Sequence, residues 1–423
     1  MPHVSPPPVT RRQDLGAAAL AAALIVATLS LLTPPGQPAH DEVHYLNIAE
    51  KGLIGNDSLA APFAYRCAAP LIVRVFYLLF GLSVDVGFRF LVIVSSMALL
   101  IFSYLLARTA GGNHATGLVV LLAVGFSFFH IKGSLAVPAM VDVEAFALTV
   151  AAVWALKRNR PGLCLTIACG GLLFKEFLLV PVALFLADQV RLYLRTRETA
   201  ALRWLIAGTV LPTLILLLPR LLIPVSVAYG ANLRWGFGAP DRMAYLENLP
   251  RFLSGELDLG RTTNAALALL SYWLPVLLVT TRQRIRALRS FPRGDGLYSI
   301  VTLGTVAVLA LFGGTNIMVF AAYTAPAMII VLTRLSGAGI PGWESLFMLF
   351  STAVFNRIPF PLRGITGGIA EAGAFYGAWW STIDSVTISR FLEIGGWMLL
   401  VMILRHFPMP GRLRTPIQAE SAD

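Results

Sequence analysis

The chain has 423 residues, of which 57% are hydrophobic and only 13% are charged, and its formal net charge is +11. This composition excludes an ordinary soluble domain and predicts a polytopic membrane protein. Because membrane proteins usually carry their surplus of Lys and Arg on short cytoplasmic loops, the positive charge does not indicate a nucleic-acid partner.

The first element is an apolar run at 15–32 that follows a polar, Pro-rich segment. The run is longer than a typical signal core and many more follow it, so we expect a retained first helix, with a cleaved signal peptide as the alternative. The later runs are 87–107, 115–131, 144–156, 162–174, 177–190, 204–224, 265–281, 297–313, 317–333, 345–355 and 391–404. The sequence therefore predicts an all-α fold with about twelve transmembrane helices.

Basic clusters set the predicted orientation. If both termini are cytoplasmic, most Lys and Arg residues fall in short loops on one side, as the positive-inside bias predicts. A crossing by the apolar segment 68–82 would place the Arg-rich loop 282–293 outside. We therefore predict that 68–82 is an interfacial or re-entrant helix within a long first external loop, 33–86. Two further external loops are predicted at 225–263 and 356–390.

The predicted organisation has four parts. A disordered cytoplasmic tail at 1–14 precedes an N-terminal membrane module at 15–225, which includes the first external loop. A variable C-terminal membrane module at 226–406 leads to a second cytoplasmic tail at 407–423. The expected location is the cell inner membrane, with multiple crossings.

Charged residues recur at the predicted external helix ends of the first half of the chain. Ionisable groups in or at the rim of a membrane are costly, which makes them functional candidates. They are Asp41 and Glu42 after the first run, Lys132, Asp142 and Glu144 before the fourth, and Lys175 and Glu176 between the fifth and sixth. We expect them to line one cavity, with Asp142 rather than Glu144 facing it, because residues i and i+2 of a helix point in different directions.

The first loop also carries a recognisable order of residues. The segment Asp41-Glu42-x-x-Tyr45-Leu46-x-x-Ala49 is followed by Pro62–Arg66 and then Pro70. This order resembles the first external loop of the GT-C superfamily of membrane glycosyltransferases, of the bacterial, polyprenyl-phosphate-sugar-dependent type. Asp142, Phe174–Phe177 with Pro181, and Gly313–Asn316 match the same group more loosely.

The resemblance implies inverting transfer from a polyprenyl-phosphate-linked sugar to a glycan, lipid or protein acceptor at the outer face. It makes Asp41 the general base and Glu42 its neighbour, with no cofactor. The expected substrate-binding residues are Tyr45, Tyr65, Arg66, Lys132, Asp142, Lys175 and Glu176. From the chemistry alone, Asp41 or Glu42 could take the proton from the acceptor, and Arg66, Lys132 or Lys175 could stabilise the leaving phosphate. The sequence departs from the family where Asn316 follows Thr315, in place of the usual acid and Arg.

Simpler interpretations remain open at this stage. Asp41 also suits a helix N-cap, and Lys175 with Glu176 suits a mutually compensating pair. The spacing of His40 and His44 is compatible with a divalent metal, although we expect none.

Two rival functions also remain. A transporter would have about twelve helices but would place its ionisable residues at the midplane between repeats. A non-catalytic component of an envelope-assembly machine would not require these charges to converge.

Overall fold

The computed structural model describes residues 12–33, 41–127, 131–225, 227–228, 259–288, 293–312, 317–337, 340–359 and 385–407. Five helices in these ranges are long and apolar enough to cross a membrane, and further apolar helices are shorter. The five are Arg12–Leu32, Val84–Thr109, Glu176–Thr196, Thr199–Leu222 and Thr262–Val279. The chain is an all-α, polytopic membrane protein, as its composition predicts.

The helices are numbered here in chain order. They are α1 (Arg12–Leu32), α2 (Asp41–Lys51), α3 (Ala68–Phe80), α4 (Val84–Thr109), α5 (His114–Gly125), α6 (Gly133–Ala136), α7 (Asp142–Lys157), α8 (Pro161–Leu172), α9 (Leu179–Thr196), α10 (Thr199–Leu222), α11 (Leu259–Val279), α12 (Arg282–Leu288), α13 (Arg293–Phe312), α14 (Ile317–Ala322), α15 (Ala325–Gly337), α16 (Gly342–Phe355) and α17 (Ser385–His406). Short 3-10 helices lie at Phe63–Tyr65, Pro138–Met140 and Glu176–Leu178. Strand β1 (Ala60–Ala61) pairs in parallel with β2 (Val227–Ala228).

Each predicted apolar run coincides largely with a helix, so the prediction of helices there is confirmed. The run at 317–333 differs in detail, because a turn at Tyr323 and Thr324 divides it into α14 and α15. The Thr324 hydroxyl donates to the carbonyl oxygen of Ala321 at 2.6 Å and accepts from Trp273 Nε1 at 3.0 Å. These bonds satisfy polar groups at the break, which lies within the bundle.

Small residues allow the central helices to approach closely. Helix α7 packs between α4 and α8, and its Ala145, Ala152 and Ala155 have no exposed surface. On α4, Ser96 and Ser103 are equally buried. Close backbone approach through small side chains is the usual basis of helix association in membranes, and it holds the first turn of α7 firmly in place.

Three ion-pair clusters join helix ends that are distant in the sequence. Each has an acidic residue in the first turn of one helix, where the helix dipole favours negative charge. The clusters are Asp14 with Arg108 and His114, Asp295 with Lys157 and Arg334, and Glu344 with Arg284 and Arg405. We call the end of the bundle that contains these clusters the basic end. Many of its basic residues belong to the loops predicted to be cytoplasmic.

Helix direction places the charged residues of the first half away from the basic end. Helix α7 ends at the basic end with Lys157, and its 16 residues rise by about 24 Å. Asp142, which begins α7, therefore lies near the opposite end of the bundle. Helix α8 starts beside the end of α7 and runs back toward Lys175, which brings Lys175 to the same level as Asp142.

The segment between α1 and α4 contains α2, the 3-10 helix at Phe63–Tyr65 and α3. Helix α3 buries Ala69 and Val73 but exposes Leu78, Leu79 and Phe80. An exposed apolar surface is typical of a helix at a membrane interface. Arg74 of α3 donates to the carbonyl oxygens of Ala49, at 3.2 Å, and Glu50, so it caps the C-terminus of α2.

Candidate active site

The first loop is docked against the helix ends that lie opposite the basic end. Oε1 of Glu42 accepts a hydrogen bond from the backbone N–H of Ala139 at 3.1 Å. The backbone N–H of Ala68 donates to the carbonyl oxygen of Leu173 at 3.1 Å. The loop therefore contacts both the turn before α7 and the end of α8, which are the two places that supply Asp142 and Lys175.

Glu42 is 3% exposed, so its carboxylate lies inside the fold and acts as a docking group. A backbone donor bound to an ionised carboxylate is among the stronger hydrogen bonds in proteins. Asp41 is the first residue of α2, and its side chain lies outside the part of the chain that the structure describes. Its predicted role as the general base stays a prediction.

Aromatic packing holds α2 on the 3-10 helix. The ring of Phe63 stacks on His44 at a centroid distance of 4.6 Å and meets Tyr45 edge-on at 5.4 Å. Tyr45 is 1% exposed, which places it in the core of the loop. His40, the predicted metal partner of His44, lies outside the described residues. Within those residues, no group of three or more His, Cys, Asp and Glu side chains is arranged to hold a metal.

Glu176 bridges two arginines from different elements. Its Oε2 accepts from Arg66 Nε at 2.8 Å, and its Oε1 accepts from Arg220 Nη2 at 3.1 Å. The guanidinium of Arg220 lies 5.0 Å from the ring centroid of Tyr65, a geometry that favours a cation–π contact. We call Arg66, Glu176 and Arg220 the arginine bridge. It carries one surplus positive charge and is partly exposed.

Lys175 is bound by Asp142 in a buried ion pair. The alternative in which Lys175 and Glu176 compensate each other is therefore wrong, because each has a different partner. Asp142 is preceded by Val141, whose φ of 51° is strained for a β-branched residue. The strained turn ends the 3-10 helix at Pro138–Met140 and directs the chain into α7.

Tyr323 lies next to the elements that carry the Lys175–Asp142 pair and the arginine bridge. Its role was not predicted from the sequence. Its hydroxyl is buried and has no hydrogen-bond partner among the described residues. Its ring packs on Phe146 of α7 at a centroid distance of 4.7 Å and on Phe177 of the 3-10 helix Glu176–Leu178 at 4.5 Å. Tyr323, from the turn between α14 and α15, therefore lies between the two elements that supply Asp142 and Glu176, and the prediction that all the charged residues line one cavity stays a prediction. The only sequence signal was that its position interrupts an apolar run, which by itself suggests no function.

Two further residues depart from the expected arrangement. Arg220 was not selected because it lies in the last turn of an apolar helix, and only the fold brings it to Glu176. Lys132 has no exposed surface, and its ammonium donates to the carbonyl oxygens of Arg357 and Ile358. Burial lowers the pKa of Lys132 to about 8. These bonds hold Lys132 at the end of α16, whereas we expected it to contact a phosphate.

Comparisons with known proteins leave the function to be argued from the site. No family model matches the chain, and no curated protein matches it. Among solved structures, the chain is similar to the crystal structure of ArnT from Cupriavidus metallidurans bound to undecaprenyl phosphate. The two share 15% sequence identity with a TM-score of 0.48, over 93% of this chain and 77% of that chain.

Proposed function

We propose that this chain is a membrane glycosyltransferase that moves a sugar from a polyprenyl-phosphate-linked donor to an acceptor at the external face, with inversion at the anomeric carbon. One observation carries the proposal. The loop that carries the Asp41-Glu42 pair and Arg66 docks onto the helix ends that hold Lys175 and Arg220, so an acid–base motif and three cations lie at one end of the bundle.

The three cations suit a leaving phosphate. Each contacts a carboxylate, with Arg66 and Arg220 sharing Glu176, which limits the uncompensated charge in a poorly solvated place. A donor phosphate can take the place of Glu176 at one or both arginines, because the arginine bridge is partly exposed. Arginine binds phosphate through two parallel N–H bonds. The charge-assisted bonds to the Glu176 carboxylate are therefore replaced by charge-assisted bonds to the phosphate.

The reaction follows from this placement. Asp41 takes the proton from an acceptor hydroxyl, and the acceptor oxygen attacks the anomeric carbon from the face opposite the phosphate. The bond between the anomeric carbon and the phosphate oxygen breaks, and polyprenyl phosphate leaves with the electron pair. Arg66, Lys175 and Arg220 stabilise the charge that develops on the phosphate. The buried Glu42 fixes the start of α2 and thereby positions Asp41.

Helix α10 gives a lipid tail direct access to the arginine bridge. Its side chains Leu214, Leu217, Leu218 and Leu221 are 45–60% exposed, and Arg220 lies in the same last turns. An apolar helix surface that ends in a cation matches a substrate with an apolar tail and an anionic head. We infer that the donor tail lies in the bilayer along α10, with both chain termini on the cytoplasmic side of an inner membrane.

Transfer by the purified protein tests the proposal. The protein is incubated with a panel of polyprenyl-phosphate sugars together with glycan, lipid or protein acceptors, because an acceptor hydroxyl has to attack before the phosphate leaves, and release of polyprenyl phosphate is measured. We expect one donor to be consumed, and Arg66→Ala to weaken donor binding about ten- to a hundredfold through loss of a charge-assisted contact. Arg89→Ala is the matched control, because Arg89 is exposed at the start of α4. Binding of none of these lipids, or equal losses in both variants, would contradict the proposal.

A further inference from the structure

Glu144 is a buried carboxyl group that the reaction described above does not use. It lies in the first turn of α7, is 2% exposed, and neither of its oxygens is hydrogen-bonded to another of the described residues. Helices α4 and α8 pack against α7, and their segments 90–107 and 161–172 contain no charged residue. Buried polar groups without a partner are rare in folded proteins and call for an explanation.

The charges around Glu144 do not supply it with a cation of its own. It interacts electrostatically with Asp142 and Lys175, and Lys175 is already bound by Asp142. The phenols of Tyr272 and Tyr323 interact with Asp142. The next acid, Glu176, is bound to Arg66 and Arg220.

The other helices packed on α7 contribute no nearby charge. The charged residues of α9 and α15 are Asp188, Arg191, Arg195 and Arg334, all in the halves of these helices toward the basic end. The charged groups at the start of α7 are therefore the carboxyl groups of Asp142 and Glu144 and the ammonium of Lys175.

The relative sizes of two opposing effects, burial and the field of the helix N-terminus, decide whether Glu144 is protonated or ionised. Full burial disfavours an ionised carboxylate by a factor of about 10³ to 10⁵. The field at a helix N-terminus favours the ionised form by at most about thirtyfold. The direct contact of Lys175 is with Asp142, so Glu144 is the carboxyl group without a cation and the proton belongs on it.

We propose that Glu144 is protonated in the folded protein, and that its neutral form is required for Lys175 to bind the phosphate of a lipid donor. The second part rests on the proposed function. With Glu144 neutral, Asp142 and Lys175 together have no net charge. If Glu144 ionises, the three groups together become negative and repel an anion. Glu144 is thus a positioning residue that sets the charge of the phosphate site and does not itself touch the phosphate.

The protonation state has a spectroscopic test that does not depend on any substrate. Infrared spectra of the purified protein should show a C=O stretching band of a protonated carboxylic acid that shifts on ¹³C-labelling of glutamate. The band should be missing in Glu144→Gln, or in Glu144→Met if the glutamine variant does not fold. Absence of the labelled band from the wild type, or its persistence in a folded variant, would overturn the proposal.

The effect on binding is measured with a polyprenyl phosphodiester, whose charge stays constant between about pH 6 and about pH 9. The affinity of the wild type should fall about ten- to fiftyfold as Glu144 ionises at rising pH. Glu144→Gln should bind as well as the wild type at the lower pH and should show no such fall. The exposed carboxylate of Glu198 lies at the basic end, so Glu198→Gln is the control and should keep the wild-type profile.

The two hypotheses fail separately. If the wild type binds no such lipid at any pH, the proposed function fails, while the infrared result still decides the protonation state. If the wild type binds the lipid and Glu144→Gln keeps the same pH profile, the role of Glu144 is wrong and the proposed function stands.

Discussion

Glu42 shows how burial separates the tasks of two adjacent carboxylates. Its Oε1 accepts the N–H of Ala139, and the side chain is almost fully enclosed. An oxygen bound in this way is poorly placed to take a proton from an acceptor. Asp41, one residue earlier, is the first residue of α2, and its side chain is not among those that the structure describes. The docking role therefore belongs to Glu42 and the proposed base role to Asp41.

Substitution of Glu42 tests the docking role. Glu42→Gln keeps a carbonyl oxygen for the Ala139 N–H, so we expect stability close to that of the wild type. Glu42→Ala leaves this buried donor without that acceptor, which should cost about 1–3 kcal/mol. Thermal unfolding of both variants in the same detergent gives the comparison. Equal stability of the alanine and glutamine variants would contradict the docking role.

Glu176 competes with substrate for the arginine bridge, so its removal should strengthen anion binding. In Glu176→Gln both Arg66 and Arg220 lose their ionic partner, and we expect the donor to bind several-fold to about tenfold more tightly. Arg220→Ala should have the opposite effect. Titration of each variant with the lipid donor measures the change, and weaker binding by a stably folded Glu176→Gln would show that Glu176 supports the phosphate site directly.

At the scale of elements, the junction between α8 and the 3-10 helix places Lys175 and Glu176 side by side with different partners. The carbonyl oxygen of Gly171 accepts the N–H groups of Phe174, at 2.8 Å, and Lys175, at 3.0 Å, which ends α8. Gly171 also packs closely on Leu178: a Cβ at Gly171 would lie 2.5 Å from Leu178 Cγ. Only glycine fits there without displacing the 3-10 helix.

Two neighbouring glycines of α8 provide a matched test of this packing. Gly171→Ala should destabilise the protein by about 1–3 kcal/mol through overpacking and should also weaken donor binding, because Lys175 and Glu176 shift. A Cβ at Gly170 would have no packing neighbour within 4 Å, so Gly170→Ala should be neutral or stabilising by up to about 1 kcal/mol. The two melting temperatures are measured side by side. A harmless Gly171→Ala would contradict this account of the junction.

The length of the apolar runs located the helices, because about twenty apolar residues are needed to cross a bilayer. The cost of charge at a helix end in a membrane selected Asp142, Lys175 and Glu176, and the resemblance of the first loop selected Arg66. Their pairing was not predictable. Arg66 and Glu176 are 110 positions apart, and nothing local identifies which cation meets which acid. Tyr323 was missed for the same reason, since a tyrosine in an apolar run is typical of packing.

At the scale of the whole molecule, the two ends of the bundle differ in charge and in proposed task. The basic end joins distant helix termini through ion pairs, and the opposite end carries the docked loop, the arginine bridge and the buried groups at the start of α7. A lipid-linked donor exposed at the external face requires the second end to face outward. The positive-inside bias predicts that orientation.

Reporter fusions test the orientation directly. Fusions after Ala60 and after Gly238 should report an external location, and fusions after Arg160 and after Arg289 a cytoplasmic one, because the short basic loops remain inside. Two fusions are made at each position, one to a reporter enzyme that is active only outside the cytoplasm and one to a reporter enzyme that is active only in the cytoplasm. A cytoplasmic result at Ala60 would place the loop on the wrong side for an external donor.

The most direct measurement of the central claim is turnover of the accepted lipid-linked sugar by Asp41→Asn. Asparagine caps a helix about as well as aspartate, so folding and donor binding should be retained while proton abstraction is lost. We expect the rate to fall about 10²–10⁴-fold, with a smaller loss in Glu42→Gln. Near-normal turnover in a folded, donor-binding Asp41→Asn would contradict the account.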